Sequence, residues 1–445
     1  MSIRSWGPAV AVTAAALSAQ FLVAGPTGAV TTTAAQGRAA PVAAGTWGPV
    51  KRLDADTRGE SLAVDARGVT TIVWATRNPP REIKALRRTR AGDWGAERII
   101  GHGYAPQVAV DAEGNVTVVW LTQHRDTTDG VLAVRRPVGG PWSEPVRLTQ
   151  DRSVPGYVPG GDDVNGASDV RLAANPAGAV VVAWAWGSGL LDEPSRVQSA
   201  YQAPGQSWTA AEDVTSANGA GAPLVGIDAQ GGVVLVYARQ RVGHPQVLRA
   251  RQRPAEGGWT APTVVADEGY GPSLAVDLAG DAVVVFTRNF NRVRAVRLAA
   301  GGQWGPARAL SPAGVTINDY ALAMNGRGKA LVALARGNGR VDLVRRPPQG
   351  RWSAPVRVVG RGNTVGDVLV ALDEAGDTFV GYGLYALWGK YRPRDGVWGR
   401  QATISPDSGV EVLEETFAAM APDGDVVVLW EQEERPLKVR VMTTS

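Results

Sequence analysis

The chain has 445 residues, a formal net charge of +4 and no cysteine. The lack of cysteine excludes disulfides, iron–sulfur clusters, thiolate zinc sites and cysteine nucleophiles. Arginine carries most of the positive charge and is spread along the whole chain, without the dense basic run that follows a phosphate backbone. We therefore expect a folded protein with no nucleic-acid partner.

The first residues have the layout of a secretory signal peptide. A short positive lead is followed by an apolar stretch over residues 8–25, and small residues then occupy 27–29. The alternative, a retained membrane anchor, needs a longer apolar stretch and a basic stop. We predict that residues 1–29 are a signal peptide, that 30–46 form a flexible linker, and that the protein is secreted to the extracellular space with no membrane span after cleavage.

One phrase then returns eight times: an apolar strand, an Asp-Ala-x-Gly-like turn, and an apolar run that ends in a large side chain. The glycines of these turns are Gly68, Gly114, Gly178, Gly231, Gly280, Gly328, Gly376 and Gly424. The residues six positions later are Trp74, Trp120, Trp184, Tyr237, Phe286, Leu334, Tyr382 and Trp430. A period of about 45–65 residues made of short strands predicts a β-propeller or a similar repeat array.

A second marker divides each repeat into four strands. We name them A, before the Asp turn; B, after its glycine; C, an alternating arginine-rich run; and D, which follows a tryptophan. The eight tryptophans are Trp47, Trp94, Trp142, Trp208, Trp259, Trp304, Trp352 and Trp398. The B strands are continuously apolar, which is typical of strands buried on both faces, so we interpret the aromatic residues as packing between blades rather than as a sugar platform.

The two ends of the repeat region complement each other. Trp47 opens a D strand that no A, B or C strand precedes, whereas the last repeat has A, B and C but no D. We predict an all-β protein in which residues 47–445 form one β-propeller domain of eight four-stranded blades, and in which residues 47–53 complete the last blade. A seven-bladed ring with one degenerate repeat is the alternative.

Loop lengths distinguish the two faces of such a ring. The A–B and C–D turns, on one face, are uniformly short, whereas the B–C loops and D-to-A connections on the other face vary and reach their longest between Gln150 and Ser168. Binding residues concentrate on loops held by a rigid scaffold. We expect a ligand site on this loop-rich face, near the mouth of the central channel, in a protein that is a monomer.

Three tyrosines on that face are candidate ligand residues. Tyr104, Tyr157 and Tyr270 each belong to a Gly-Tyr-x-Pro phrase in a D-to-A connection. A tyrosine ring can stack on a sugar while its hydroxyl bonds a sugar oxygen. The alternative is that each ring fills the seam between two blades.

Acidic residues on the same face form the second candidate set. Asp163, Asp169, Glu414 and Glu415 can bind a ligand, and acidic pairs can also act as general acid and base on a glycosidic bond. Asp163, Asn165 and Asp169 place oxygen ligands around a glycine, as in part of a calcium loop, although the twelve-residue pattern and its terminal glutamate are missing. Solvated loop carboxylates are the alternative, and we predict no cofactor unless this loop binds calcium.

The repeat resembles secreted bacterial β-propellers of the sialidase-like or BNR-like type, and the Ala/Arg/Gly/Val-rich composition resembles proteins of high-GC actinobacteria. The resemblance implies the propeller fold. It does not extend to the sialidase Asp-box, Ser-x-Asp-x-Gly-x-Thr-Trp, because Ala63 or Ala109 stands where the serine belongs. No recognisable catalytic motif is present, so we predict a non-catalytic propeller that binds an extracellular glycan or protein. The alternative is a glycoside hydrolase or polysaccharide lyase with acids at the channel mouth.

Overall fold

The computed structural model describes most of the repeat region and none of the predicted signal peptide. The described residues are 45–54, 57–122, 130–150, 166–187, 195–216, 219–240, 244–288, 292–360, 365–405, 413–432 and 436–444. Among them every regular element is a β-strand, and no helix is long and apolar enough to cross a membrane.

The strands form eight antiparallel sheets, each with four positions in the order A-B-C-D, so the eight-bladed prediction is confirmed. The A strands of blades 1 to 8 are Thr57–Val64, Tyr104–Val110, Gly166–Ala174, Ala220–Ile227, Tyr270–Val276, Ile317–Met324, Asp367–Leu372 and Leu413–Met420. The B strands are Thr70–Thr76, Val116–Leu121, Val180–Gly187, Val233–Arg239, Ala282–Arg288, Ala330–Arg336, Thr378–Gly383 and Val426–Gln432.

The outer half of each blade consists of the C and D strands. The C strands are Glu82–Arg88, Val131–Arg136, Arg196–Gln202, Val247–Arg253, Arg292–Leu298, Val341–Arg346, Leu387–Arg392 and Lys438–Thr443. The D strands of blades 1 to 7 are Arg98–His102, Val146–Arg147, Glu212–Asp213, Thr263–Ala266, Arg308–Ala309, Val356–Val359 and Ala402–Thr403.

The N-terminal strands close the ring, as predicted. Thr46–Trp47 and Lys51–Arg52 supply the D position of blade 8 by pairing antiparallel with Lys438–Thr443, and Trp47 lies opposite Met442. Each A strand also contacts the A strands of both neighbouring blades, and the first contacts the eighth. The A strands therefore surround the central axis, and closure pairs the edge that the last C strand would otherwise expose.

Packing between blades accounts for the recurrent aromatic residues. The eight residues that follow the turn glycines by six positions are all at most 2% exposed, and each lies in an apolar cluster shared by adjacent blades. The D-strand tryptophans are half-buried and pack against the same clusters; Trp47, for example, lies edge-on to Phe379 of blade 7, with 6.0 Å between ring centroids. The structure confirms the packing interpretation of these side chains.

The A–B turn explains why the Asp-to-Gly spacing is constant. In blade 1, Oδ1 of Asp65 accepts the backbone N–H groups of Arg67 and Val69 at 2.9 and 2.8 Å. The other carboxylate oxygen faces the next blade, where a Cβ on Gly114 would lie 2.7 Å from it. Gly114 has a φ of +85°, so glycine is required both by the turn and by the carboxylate of the preceding blade.

Two asparagines replace the turn aspartate and add a contact that aspartate cannot make. Asn175 and Asn325 keep the local bond, because Oδ1 of each accepts the backbone N–H four residues later. Their Nδ2 groups also donate to the backbone carbonyls of Asp228 and Asp373 in the following blades, at 2.9 and 3.1 Å. The A–B turns are thus joined to one another as well as folded individually.

Candidate ligand site at the channel mouth

The A strands begin irregularly on the face where the D-to-A connections arrive. Seven of the eight show a register shift against strand B near their first residues; only Asp367–Leu372 of blade 7 pairs regularly. In five blades the shift includes a residue with left-handed φ: Gly59, Ala105, Asp169, Ala222 and Gly271. Such β-bulges redirect side chains and recur beside functional sites. Here they surround the channel mouth.

The Gly-Tyr-x-Pro phrase encodes this bulge. Tyr104 and Tyr270 are the first residues of their A strands, and the next residues, Ala105 and Gly271, have φ values of 50° and 56°. Both tyrosines are half-buried at the mouth, as expected of residues on this face. Their role in binding a ligand stays a prediction, and Tyr157 lies outside the described residues.

Asp169 has a backbone role that the sequence did not indicate. It is exposed in the A strand of blade 3 and has a φ of 51°, in the bulge position that Ala105 and Gly271 occupy in blades 2 and 5. Aspartate tolerates this conformation better than most residues. Asp163 and Asn165, the other two proposed calcium ligands, lie outside the described residues, and the parts of the chain that are described contain no group of three metal-binding side chains.

The remaining acidic candidates lie in blade 8. Glu414 and Glu415 fall at the start of strand Leu413–Met420, and the Glu415 side chain is half-buried. Of Glu414 only the position in the strand is described. The predicted residues that the structure describes therefore share one rim but are distributed over blades 2, 3, 5 and 8, so the structure does not gather them into a single cluster.

A polar group that the sequence analysis missed lies at the mouth between blades 6 and 7. Asn318 is exposed, and its Nδ2 donates to the carbonyl of Val365 at 2.8 Å. The half-buried Asp319 accepts the N–H of Val368 through Oδ2 at 2.9 Å. Asp367, also half-buried, is the neighbouring carboxyl in blade 7. Two carboxyl groups and one amide thus meet where blade 7 begins.

Burial sets the protonation of this group. It raises the pKa of Asp319 to about 7, and the charge of Asp367 contributes to the increase. Burial likewise raises the pKa of Asp367 to about 6. The pair can therefore hold or release a proton near neutral pH, and its oxygens can accept hydrogen bonds from hydroxyl groups of a ligand.

Tyr320 connects this group to one of the predicted tyrosines. Its hydroxyl donates to the backbone carbonyl of Gly271, which directly follows Tyr270 in the bulge of blade 5. Burial raises the pKa of the Tyr320 phenol, so it stays a donor. Asn318, Asp319, Asp367 and Tyr270 therefore lie in consecutive blades, from 5 to 7, along one arc of the mouth.

Comparison with known proteins supports the fold and leaves the family open. No protein-family model matches the chain, and no curated protein sequence does. Among solved structures, the BP39L lectin from Burkholderia pseudomallei is 14% identical with a TM-score of 0.54, over 79% of this chain and 99% of the lectin. The polysaccharide lyase Uly1 is 10% identical with a TM-score of 0.50, over 87% of this chain and 90% of the lyase.

A further solved structure, an ulvan lyase described as a new polysaccharide lyase family, PL25, is 10% identical with a TM-score of 0.48. The match covers 74% of this chain and 91% of the ulvan lyase. Identities this low describe architecture only. The chain is thus an eight-bladed β-propeller, with a lectin and polysaccharide lyases among its structural neighbours.

Proposed function

We propose that this protein is a secreted, non-catalytic β-propeller that binds an extracellular glycan at its channel mouth. The observation that carries the proposal is the polar arc of Asn318, Asp319 and Asp367 beside Tyr270. Amide and carboxyl groups hydrogen-bond sugar hydroxyls, and an aromatic ring offers a stacking surface. The signal-peptide-like residues 1–29 support secretion, so that an extracellular glycan is accessible.

The structural neighbours agree with this class of ligand. A lectin and a polysaccharide lyase share the architecture over most of their lengths, although the identities are too low to transfer any residue or substrate. A monomeric protein, calcium binding and kinship with sialidase-like propellers stay predictions from the sequence.

The test uses the protein without residues 1–29 on a glycan array and in pull-downs with insoluble polysaccharides. We expect retention on at least one glycan, weakened at least tenfold by Asp319→Asn and by Asn318→Ala. Asp395→Asn removes an exposed carboxylate from a C–D turn on the opposite face and is the control, expected to bind normally. Absence of retention on every glycan, or retention unaffected by both mouth variants, would refute the proposal.

A second candidate function is cleavage of the bound glycan by hydrolysis or β-elimination. One observation favours it: a carboxyl with a pKa of about 7 lies beside a second carboxyl, and proton transfer is most efficient when the pKa of the catalytic group is close to the working pH. The same glycan panel is assayed for new reducing ends and unsaturated ends. Turnover that Asp319→Asn abolishes while binding persists would establish the enzyme over the binding protein.

A further inference from the structure

A polar cleft lies on the face opposite the mouth, at the seam between blades 5 and 6. Its volume is about 390 Å³, within the range of small-molecule sites. The A–B and C–D turns of both blades form its walls. The charged and amide side chains that line it are Asp277, Asp281, Arg297, Arg327 and Gln349.

The sister blades show that Gln349 is costly at its position. The C–D turns of blades 1, 2, 3, 5, 6 and 7 share a bond from the N–H of the fourth residue to the carbonyl of the first, and Ala91 and Asp395, third in blades 1 and 7, do not have a left-handed φ. Blades 2, 3, 5 and 6 form the left-handed variant of this turn. Its third residue is glycine in three of them: Gly139, Gly205 and Gly301 have φ values of 71°, 69° and 65°. Blade 6 places Gln349 there, at a φ of 54°. Glutamine rarely adopts this conformation, so the backbone is strained at a residue whose side chain lines the cleft.

Arg327 also departs from its counterpart in another blade. Arg67 occupies the same A–B turn position in blade 1 and forms an ion pair with Asp65 of its own turn, at 3.2 Å. In blade 6 the turn aspartate is replaced by Asn325, which removes that partner. Arg327 is exposed; its charge acts on the Glu374 carboxylate of blade 7, but it forms no direct ion pair among the described residues. Its guanidinium remains available to an anion from solution.

The other charges of the cleft are already compensated. Arg297 forms an ion pair with Asp281. Arg346 does not line the cleft and is only 2% exposed, but its positive charge acts on both Asp277 and Asp281. Oδ1 of Asp277 holds the turn through two backbone N–H groups, leaving Oδ2 as an acceptor. The cleft therefore offers one available guanidinium, one amide and one carboxylate oxygen.

We propose that this cleft binds a monosaccharide-sized hydroxylated carboxylate of the uronic acid class. Arg327 binds the carboxylate in bidentate geometry, and the Gln349 amide and the Asp277 carboxyl bind hydroxyl groups. Inorganic sulfate satisfies only part of this set, because it can pair with Arg327 but has no hydroxyl that could donate to the Gln349 amide oxygen or the Asp277 carboxylate. The site is independent of the mouth and of the function proposed for it.

The experiment titrates the protein without residues 1–29 by calorimetry with glucuronate, glucose and inorganic sulfate. We expect glucuronate to bind at least tenfold more tightly than either of the others. Arg327→Ala should weaken glucuronate binding at least tenfold, whereas the matched control Arg67→Ala should leave it unchanged. Gln349→Gly restores the residue of the sister blades, so it should weaken binding while the melting temperature stays the same or rises.

Four results would overturn the proposal. Sulfate binding as tight as glucuronate binding would reduce the cleft to a simple anion site. Absence of glucuronate binding, or binding that survives both Arg327→Ala and Gln349→Gly, would show that the cleft does not hold a uronate. Loss of glucuronate binding in Asp319→Asn but not in Arg327→Ala would place the ligand at the mouth instead.

Discussion

The Asp319 carboxyl makes the stability of the ring depend on pH. Its pKa is about 7 in the folded protein against an ordinary value of 3.8, so the folded state holds this proton more tightly than the unfolded state does. The resulting stabilisation is fully present below about pH 4 and is lost as the pH rises through about 7, because ionisation then favours unfolding. At 1.36 kcal/mol per pKa unit, the full loss is about 4 kcal/mol.

Asp319→Asn isolates this effect because the amide oxygen can still accept the N–H of Val368. Urea unfolding of both proteins, followed by tryptophan fluorescence near pH 4, 6 and 8, measures the free energy of unfolding. We expect the free energy of unfolding of the variant to increase relative to that of the wild type as the pH rises. The increase should reach up to about 4 kcal/mol between pH 4 and pH 8. Asp395→Asn, which changes an exposed carboxylate, should show no such trend.

A difference between variant and wild type that does not change with pH would refute the reasoning. A variant that becomes less stable than the wild type as the pH rises would contradict it more directly, because the folded state would then stabilise the ionised form of Asp319. Either result would also remove the neutral-pH proton transfer on which the enzymatic alternative depends.

Further predictions concern how the blades are joined. Gly328→Ala should destabilise the ring by about 1–3 kcal/mol more than Gly139→Ala: both positions have positive φ, but only at Gly328 would the new Cβ lie 2.5 Å from Oδ2 of Asp277. Equal losses in urea unfolding would disprove this inter-blade contact. Trp47→Ala should lower the free energy of unfolding by about 2 kcal/mol and lower the melting temperature of the whole ring, because the tryptophan joins the two ends. Removal of residues 30–44 should change neither. A stable Trp47→Ala variant together with a destabilised deletion variant would contradict terminal closure.

The number of blades and the closure could be predicted because both depend on repeated local patterns. Seven of the eight A–B turns have an acceptor side chain and, three residues later, a glycine; the turn of blade 8 keeps the glycine and has Ala421 at the acceptor position, so the spacing returns in every blade. The first D strand, opened by Trp47, has no A, B or C strand before it, and the last repeat has no D strand. The two ends can therefore complete one blade, and Trp47 does pair with Met442. These features require no knowledge of distant contacts.

The mouth site could not be predicted in the same way because it depends on contacts between blades. Asn318 and Asp319 lie near the start of an A strand that lacks the Gly-Tyr-x-Pro phrase, so no repeated motif marks them. Their environment comes from Val365, Val368 and Asp367 of the next blade, almost fifty residues away in the chain. The Gly-Tyr-x-Pro phrase itself encodes a β-bulge. If its tyrosines bind a ligand, they do so in addition to this structural role.

A residue that departs from the repeat indicates function more clearly than a residue that follows it, once the departures that the fold itself explains have been set aside. Asn325 departs from the turn aspartate, and its bond to the carbonyl of Asp373 explains the change within the fold. Gln349 departs from glycine, makes no hydrogen bond among the described residues, and introduces strain instead of relieving it. A side chain that is costly to the fold and lines a cleft is best explained by a ligand, and the turns of blades 2, 3 and 5, which have glycine at this position, are its controls.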